Sequence, residues 1–370
     1  MRNFVIFSLT YIFIFSGYYL TTSFLNILYP NYAFISFAIF YAVYGLGSLF
    51  AGYIIEKIGF KPLLFLSCIT FCIFVGFTGS NIVSLLLIGS FIAGLGNAIV
   101  WLIQGVFLED KEMANFYMLF NVNIVLGNLL GMSILLIGLS SQIMILSMLV
   151  LTGLGSLLAL CVRQEKEKIQ NKVKLKNVFL SANLMIPCYI YQAVGLNVTY
   201  QIIPRLLKDP IFNTITFIVY GVFAIGFSWI WGKLFLKSWK YVVIPYSILE
   251  ILCLAGILLL EKTRRRYEYW IIIGAIRGVI DYGINNTINI TLARSEDTSS
   301  SFSLYRFIYA ISYLLCSICI GYISYEYILL ICLLCLFGSS FSYFLFFRME
   351  EVDILYDINK AFESSSIPIS

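Results

Sequence analysis

The sequence predicts an all-α, polytopic membrane protein with about twelve transmembrane helices. Hydrophobic residues make up 61% of the 370 residues, and charged residues only 12%. Soluble domains usually contain about a quarter charged residues. The mean hydropathy is +0.93. The charges also fall almost entirely between apolar stretches long enough to cross a bilayer, which takes roughly 20 residues. These observations leave no room for a sizeable soluble domain.

The apolar stretches are predicted to be helices, because backbone polar groups cannot remain unpaired in hydrocarbon. The first stretch is too long for the core of a signal peptide and is interpreted as the first span. The predicted spans are 4–28, 33–55, 62–79, 82–108, 114–137, 142–162, 178–206, 211–235, 241–260, 268–293, 302–322 and 327–347.

The distribution of Lys and Arg predicts the orientation of the chain. With a cytoplasmic N-terminus, sixteen of the 24 basic residues lie in cytoplasmic segments, and twelve spans return the C-terminus to the same side. The arginine cluster 264–266 then lies on the outer side and opposes this orientation. We therefore expect an integral, multi-pass protein with both termini in the cytoplasm.

One long charged stretch, 163–176, divides the chain into six spans and six spans. It predicts an N-terminal six-helix bundle over 1–162, a basic cytoplasmic linker over 163–177 and a second six-helix bundle over 178–348. The acidic and Ser-rich tail, 349–370, is expected to be cytoplasmic and disordered.

Two short patterns recur six spans apart and indicate a parallel duplication. In the first pattern, a lysine follows five residues after a glycine. In the second, a polar residue follows three residues after a glycine, and a large residue follows four residues after the polar one. The paired segments are 52–57 with 232–237 and 94–101 with 278–285.

The loop after the second span has the sequence pattern Gly52, Glu56, Lys57, Gly59, Lys61. This pattern resembles the cytoplasmic loop signature of the major facilitator superfamily, with Glu56 in place of the usual Asp. The resemblance implies a 6+6 helix bundle. Gly52 would let helices approach closely, Gly59 would support a tight turn, and Glu56 would lie near a helix terminus or a basic partner.

A narrower resemblance is carried by 94–105, 115–128, 274–288 and 301–306. These segments are similar to the Unc-ninety-three family of ion-channel regulatory proteins. That resemblance implies a non-enzymatic protein that acts by binding a channel or another membrane protein.

Few ionisable side chains lie deep within the predicted spans, where they are costly and usually functional. They are Glu250, Arg277, Asp281 and Arg306. Arg277, Asp281 and Asn285 follow at intervals of four and share one face of the tenth span. Asp281 could pair with Arg277 or with Arg306. Arg277 and Asp281 form either a cavity site for a charged solute or coupling ion, or an internal ion pair that locks spans nine to eleven together.

Polar groups in the N-terminal half are neutral. Asn97, Trp101 and Gln104 lie at helical spacing on the fourth span. In the superfamily, spans one, four, seven and ten line the central cavity, so the resemblance places these side chains on the opposite cavity wall. Polar amides in membrane helices also serve simply to join helices.

Several chemistries are not expected. The chain has no histidine, its paired cysteines lie within apolar spans, and it has no phosphate-binding loop. We expect no enzyme activity, metal, cofactor or nucleic-acid partner; the expected partner is the lipid bilayer. Two functions stay open: a regulator of a channel or other membrane protein, which we favour slightly, and a secondary transporter of a small solute that uses Arg277 and Asp281.

Overall fold

The computed structural model describes residues 2–163, 184–263, 268–294 and 298–365. These residues are almost wholly helical, and no strand occurs among them. The predicted linker after Arg163 and the arginine cluster 264–266 lie outside the described residues. The helices are α1 (Arg2–Leu28), α2 (Ala33–Ile58), α3 (Phe60–Gly79), α4 (Val83–Phe107), α5 (Asp110–Phe120), α6 (Val122–Leu136), α7 (Ser141–Ala159), α8 (Ile186–Asn197), α9 (Ile203–Leu207), α10 (Pro210–Lys237), α11 (Lys240–Thr263), α12 (Glu268–Ala293), α13 (Thr298–Tyr322) and α14 (Tyr325–Ser365).

In the described part of the chain, ten helical stretches are long and apolar enough to cross a membrane. They coincide with ten of the twelve predicted spans, and α5 and α6 together supply the fifth. The described parts of the other two predicted spans are helical as well. The tenth, α12, has 26 residues but carries the polar stripe of Arg277, Asp281 and Asn285, which lowers its hydropathy. The prediction of an all-α membrane protein is confirmed.

The seventh predicted span, 178–206, is not one continuous α-helix. Its described part consists of α8, a π-helical segment at Val198–Ile202, and α9. The N–H of Ile203 bonds to the carbonyl of Val198, five residues back. Pro204 supplies no N–H for the α-helical bond to Tyr200, and its ring crowds that carbonyl, which explains the local loosening. Such π-bulges are frequent at functional sites.

The last helix runs well beyond the predicted twelfth span. The tail 349–370 is expected to be disordered, but α14 continues to Ser365, so that expectation is wrong for 349–365. The physical reason is local composition. No Gly or Pro occurs between Gly338 and Pro368, and the acidic segment is rich in good helix formers.

The two halves of the bundle repeat the same packing. Helix α1 packs on α6 and α7, as α8 packs on α13 and α14, and α2 packs on α4 as α10 packs on α12. Between the halves, α2 packs against α13, and α10 packs against α5 and α6. A duplicated six-plus-six bundle produces this packing of helices from one half against helices of the other.

We name the two ends of the bundle by their connecting residues. The terminal face contains the start of α1 and the connections at Gly59, Leu108 and Ser238. The opposite face contains the connections at Tyr29 and Lys208. The polar groups discussed below lie between these faces.

Candidate functional site

A cavity lies at the centre of the bundle, between the two halves. It holds about 740 Å³ of empty space, counting its open mouth. Its lining side chains are Phe15, Tyr18, Tyr19, Thr22, Phe37, Tyr41, Tyr44, Asn97, Trp101, Phe120, Gln192, Leu196, Tyr200, Asp281, Tyr282, Asn285, Arg306, Tyr309 and Tyr313. Both halves therefore contribute to one aromatic, partly polar chamber.

Five of the eight predicted cavity candidates line this chamber, and three do not. Those that line it are Asn97, Trp101, Asp281, Asn285 and Arg306. Gln104 lies beside the chamber, where it contacts Arg306. Glu250 and Arg277 are completely buried away from it. Arg277 does not line the chamber; it lies in an internal ion pair, which is the other alternative that the sequence left open.

The repeated sequence pattern corresponds to equivalent positions in the cavity wall. Asn97 on α4 and Asp281 on α12 both line the chamber, as do Trp101 and Asn285 one turn further along. In each copy of the pattern, the two residues follow a glycine that lies where two helices cross closely. A Cβ at Gly94 would lie 2.6 Å from the carbonyl oxygen of Phe40 on α2. The sequence repeat thus reflects repeated geometry.

Arg277 neutralises two carboxylates inside the C-terminal half. Its Nη1 lies 2.5 Å from Oε2 of Glu250 on α11, and its Nη2 bonds to Oδ1 of Asp281 on its own helix. Nη2 also donates to the carbonyl of Gly195 at 2.7 Å, and Nε donates to Oγ1 of Thr199 at 2.9 Å. This guanidinium is therefore hydrogen-bonded at every nitrogen.

Asp281 is equally well supplied with donors. Besides Arg277, the hydroxyl of Thr199 lies 2.7 Å and that of Tyr220 3.1 Å from Oδ2. The polar cluster therefore joins the seventh, eighth, ninth and tenth spans, whereas the sequence suggested spans nine to eleven. Asp281 pairs with Arg277, and in the described residues it makes no ion pair with Arg306.

Arg306 on α13, unlike Arg277, has no carboxylate partner among the described residues. It is only 5% exposed, yet no carboxylate of the described residues lies within 4.0 Å. Its guanidinium lies over the rings of Trp101 (4.9 Å) and Tyr305 (4.5 Å), within the range of cation–π attraction. It is a buried cation without an acidic partner among the described residues.

The hydrogen bonds of Arg306 are few and long. Nη2 donates to Oε1 of Gln104 at 3.5 Å and to Oδ1 of Asn289 at 3.3 Å, while Nη1 donates to the hydroxyl of Tyr305 at 3.3 Å. Its Nε is buried and finds no acceptor among the described residues. Charge-assisted bonds to a carboxylate are usually about 2.7–2.9 Å long.

A neutral hydrogen-bonded network holds the groups around Arg306. Gln192 on α8 donates to Asn285 at 2.8 Å and accepts from Tyr305 at 2.6 Å. Asn289 donates to Oδ1 of Asn285 at 2.9 Å. Helices α8, α12 and α13 are thereby tied together on the terminal side of the chamber, which fixes the position of Arg306.

Sequence reasoning missed the tyrosines, which supply much of the wall. Tyr41 on α2 and Tyr313 on α13 stack across the two halves with ring centroids 3.6 Å apart. Tyr19 on α1 and Tyr200 in the π segment stack likewise at 5.3 Å. A signal was available, because tyrosines recur at intervals of four at 305, 309 and 313 on one face of α13.

The loop motif forms the connection between α2 and α3. Gly59 alone separates the two helices, and its φ of +91° with ψ of 155° is accessible essentially only to glycine. Glu56, Lys57 and Lys61 are exposed on the terminal face. A Cβ at Gly52 would lie 3.4 Å from Oγ of Ser299, which is ordinary contact, so the packing there does not require glycine.

Comparison with known proteins agrees with this architecture. A search of curated proteins finds none that matches the chain. The family model described as Major Facilitator Superfamily matches residues 4–317. That match covers most of the chain, including the first half of the bundle, the second half as far as residue 317 and all the residues of the chamber. The chain belongs to the Major Facilitator Superfamily.

Proposed function

We propose that this protein is a secondary transporter, not an enzyme, that moves a small solute by alternately opening the central chamber to the two sides of the membrane. One observation carries the proposal: side chains from both halves line a single chamber at their interface. A solute bound there contacts both halves, so rocking one half against the other would expose it to either face.

Contacts between the halves lie on both sides of the chamber, which supports this mechanism. Toward the terminal face, a Cβ at Gly105 on α4 would lie 2.6 Å from the ring of Phe302 on α13. Toward the opposite face, Tyr41 stacks on Tyr313 and Phe34 contacts Gly321. Each set of contacts must separate when its own face opens.

The unit boundaries and the orientation are part of the proposal. Residues 1–162 and 178–348 are the two moving units, joined by the linker 163–177 and followed by the tail 349–370. The repeated packing supports two units of this kind. The excess of basic residues supports a cytoplasmic position for the terminal face and for both termini.

The resemblance to the Unc-ninety-three family supports a different proposal, regulation of a partner such as a channel. A regulator acts through its outer surface and does not need a chamber that opens to both faces. Access to the chamber therefore separates the two functions without knowledge of the solute.

The test uses a single reporter thiol in the chamber. Asn97→Cys, made with the exposed Cys161 changed to Ser, is treated with a membrane-impermeant methanethiosulfonate reagent from either side of oriented vesicles. Alternating access predicts modification from both sides. The Cys161→Ser parent reports the background from the other native cysteines.

Two disulfide locks make the test specific. Gly52→Cys with Ser299→Cys should hold the terminal face closed, and Phe34→Cys with Gly321→Cys should hold the opposite face closed. Each lock should abolish modification from its own side only, and reduction should restore it. Access from one side only, unchanged by either lock, would contradict transport and favour the regulator.

A further inference from the structure

We propose that Arg306 binds the anionic group of the solute, and that the solute is a small organic anion with an apolar or aromatic body. This inference rests on the proposed function only in treating the chamber as a solute site. Binding of an anion there can be measured whether or not transport occurs.

The argument begins with the unequal pairing of two buried arginines. Arg277 contacts two carboxylates, whereas Arg306 contacts none among the described residues. A guanidinium keeps its positive charge in proteins. A buried charge is costly unless it is paired. An anion entering the chamber would supply the missing partner.

The geometry around Arg306 leaves a place for that partner. Its three hydrogen bonds go to neutral groups at 3.3–3.5 Å, and its Nε has no acceptor among the described residues. A carboxylate could therefore replace long, weak bonds with short, charge-assisted ones. The side chain lines the chamber, so a solute can reach it.

Other groups of the chamber wall also favour an anion with a ring or an apolar body. Tyr44 and Tyr200 line the chamber, and the buried hydroxyl of each finds no hydrogen-bond partner among the described residues. They are available as further donors to an anionic group. Trp101, Tyr41 and Tyr313 present aromatic surface for the rest of the solute.

A cation is a poorer fit to the same chamber. Asp281 is the one carboxylate among the lining residues, and its oxygens already receive bonds from Arg277, Thr199 and Tyr220. A solute ammonium group would have to displace these donors. An anion meets no such competition at Arg306, so we expect selection by negative charge.

Three probes of similar size and different charge test this inference: benzoate, neutral benzamide and cationic benzylamine. Each is titrated into the purified full-length protein in detergent, and binding is followed by the shift in thermal unfolding and by tryptophan fluorescence. Benzoate should bind at least about tenfold more tightly than the other two, because hydrogen bonds to a charged group are worth more than neutral ones.

Variants assign the charge selection to Arg306. Arg306→Gln should remove the preference for benzoate, and Arg306→Lys should keep part of it, because lysine retains the charge but not the planar fork. Lys233→Gln is the matched control, since Lys233 lies over Trp229 at 5.1 Å on the exposed surface. It should leave the preference unchanged.

A second variant protects the test against misfolding of the Arg306 variants. Tyr44→Phe removes one hydroxyl donor and should weaken benzoate binding several-fold with little effect on benzamide. Equal responses of the wild type to all three probes, including no response, would overturn the anion site. So would an undiminished preference for benzoate in folded Arg306→Gln.

The experiments can refute the transport function and the anion site independently of each other. Selective benzoate binding without two-sided access to Asn97→Cys would remove the transport function and leave the anion site standing. Two-sided access to Asn97→Cys without selective benzoate binding would remove the anion site and leave the transport function standing.

Discussion

Arg277 and Arg306 are both buried within the C-terminal half, but the described residues provide acidic partners only for Arg277. Glu250 and Asp281 both contact Arg277, whereas the ring of Trp101 and neutral oxygens surround Arg306. The first arginine therefore serves the cohesion of its half. The second lies on the chamber wall, where it can meet a solute.

Loss of Arg277 should strongly destabilise the protein. Arg277→Met leaves Glu250 and Asp281 buried without their cation, and breaking a buried pair from one side costs about 3–5 kcal/mol in soluble proteins. We expect a marked fall in the midpoint of thermal unfolding in detergent. Arg348→Met, at an exposed arginine, should change the midpoint little.

Removing the acids together with Arg277 should restore part of that stability. The triple variant with Glu250→Gln, Asp281→Asn and Arg277→Met has no uncompensated charge in the cluster. A single Arg277→Met variant as stable as the wild type would show that the cluster does not hold the helices together.

The hydroxyl group of Thr199 should contribute more to the stability of the protein than the volume of its side chain does. Thr199→Val keeps the volume but removes the bonds to Asp281 and Arg277, so we expect a loss of about 1–3 kcal/mol in unfolding free energy. Thr199→Ser should retain most of the stability. The control is Thr214→Val, because the Thr214 hydroxyl bonds only to its own helix backbone. Similar losses at both threonines would contradict the role of Thr199.

Contact between the halves should be sensitive to one methyl group at Gly232. A Cβ there would collide with Ala114 on α5, whereas a Cβ at Gly226 on the same helix would meet nothing within 4 Å. Gly232→Ala should lower the thermal unfolding midpoint, and Gly226→Ala should leave it equal or higher, since alanine favours helix by about 1 kcal/mol. Equal midpoints for the two variants would argue against the close approach of α10 to α5.

Substitution of Gly59 should destabilise the protein because of the backbone conformation at this position and not because of contacts with neighbouring side chains. A Cβ at Gly59 meets nothing within 4 Å, but the φ of +91° is strained for any other residue, at about 1–3 kcal/mol. Gly59→Ala should therefore lower the unfolding free energy. Gly153→Ala, in open space on α7 without a positive φ, should not. Tolerance of Gly59→Ala would mean that the turn can adopt another conformation.

The sequence by itself determined the fold class and the main part of each helix. Apolar stretches of spanning length must become helices in hydrocarbon, and the recurrence of Gly94–Asn97–Trp101 as Gly278–Asp281–Asn285 disclosed the duplication. Asn97 and Asp281, which stand at equivalent positions of that repeat, both line the chamber.

Only the tertiary structure decided which buried charges meet. The sequence allowed Asp281 to pair with Arg277, four residues away on α12, or with Arg306 on α13. In the structure Asp281 pairs with Arg277, which also contacts Glu250 on α11. The π turn that presents Thr199 to both charges also left no clear trace in hydropathy. Hydropathy records which segments avoid water, while pairing depends on distances of a few ångströms between helices remote in sequence. That difference is why the sequence identified Arg306 as a cavity or ion-pair candidate, and only the fold showed that its partners are neutral and aromatic.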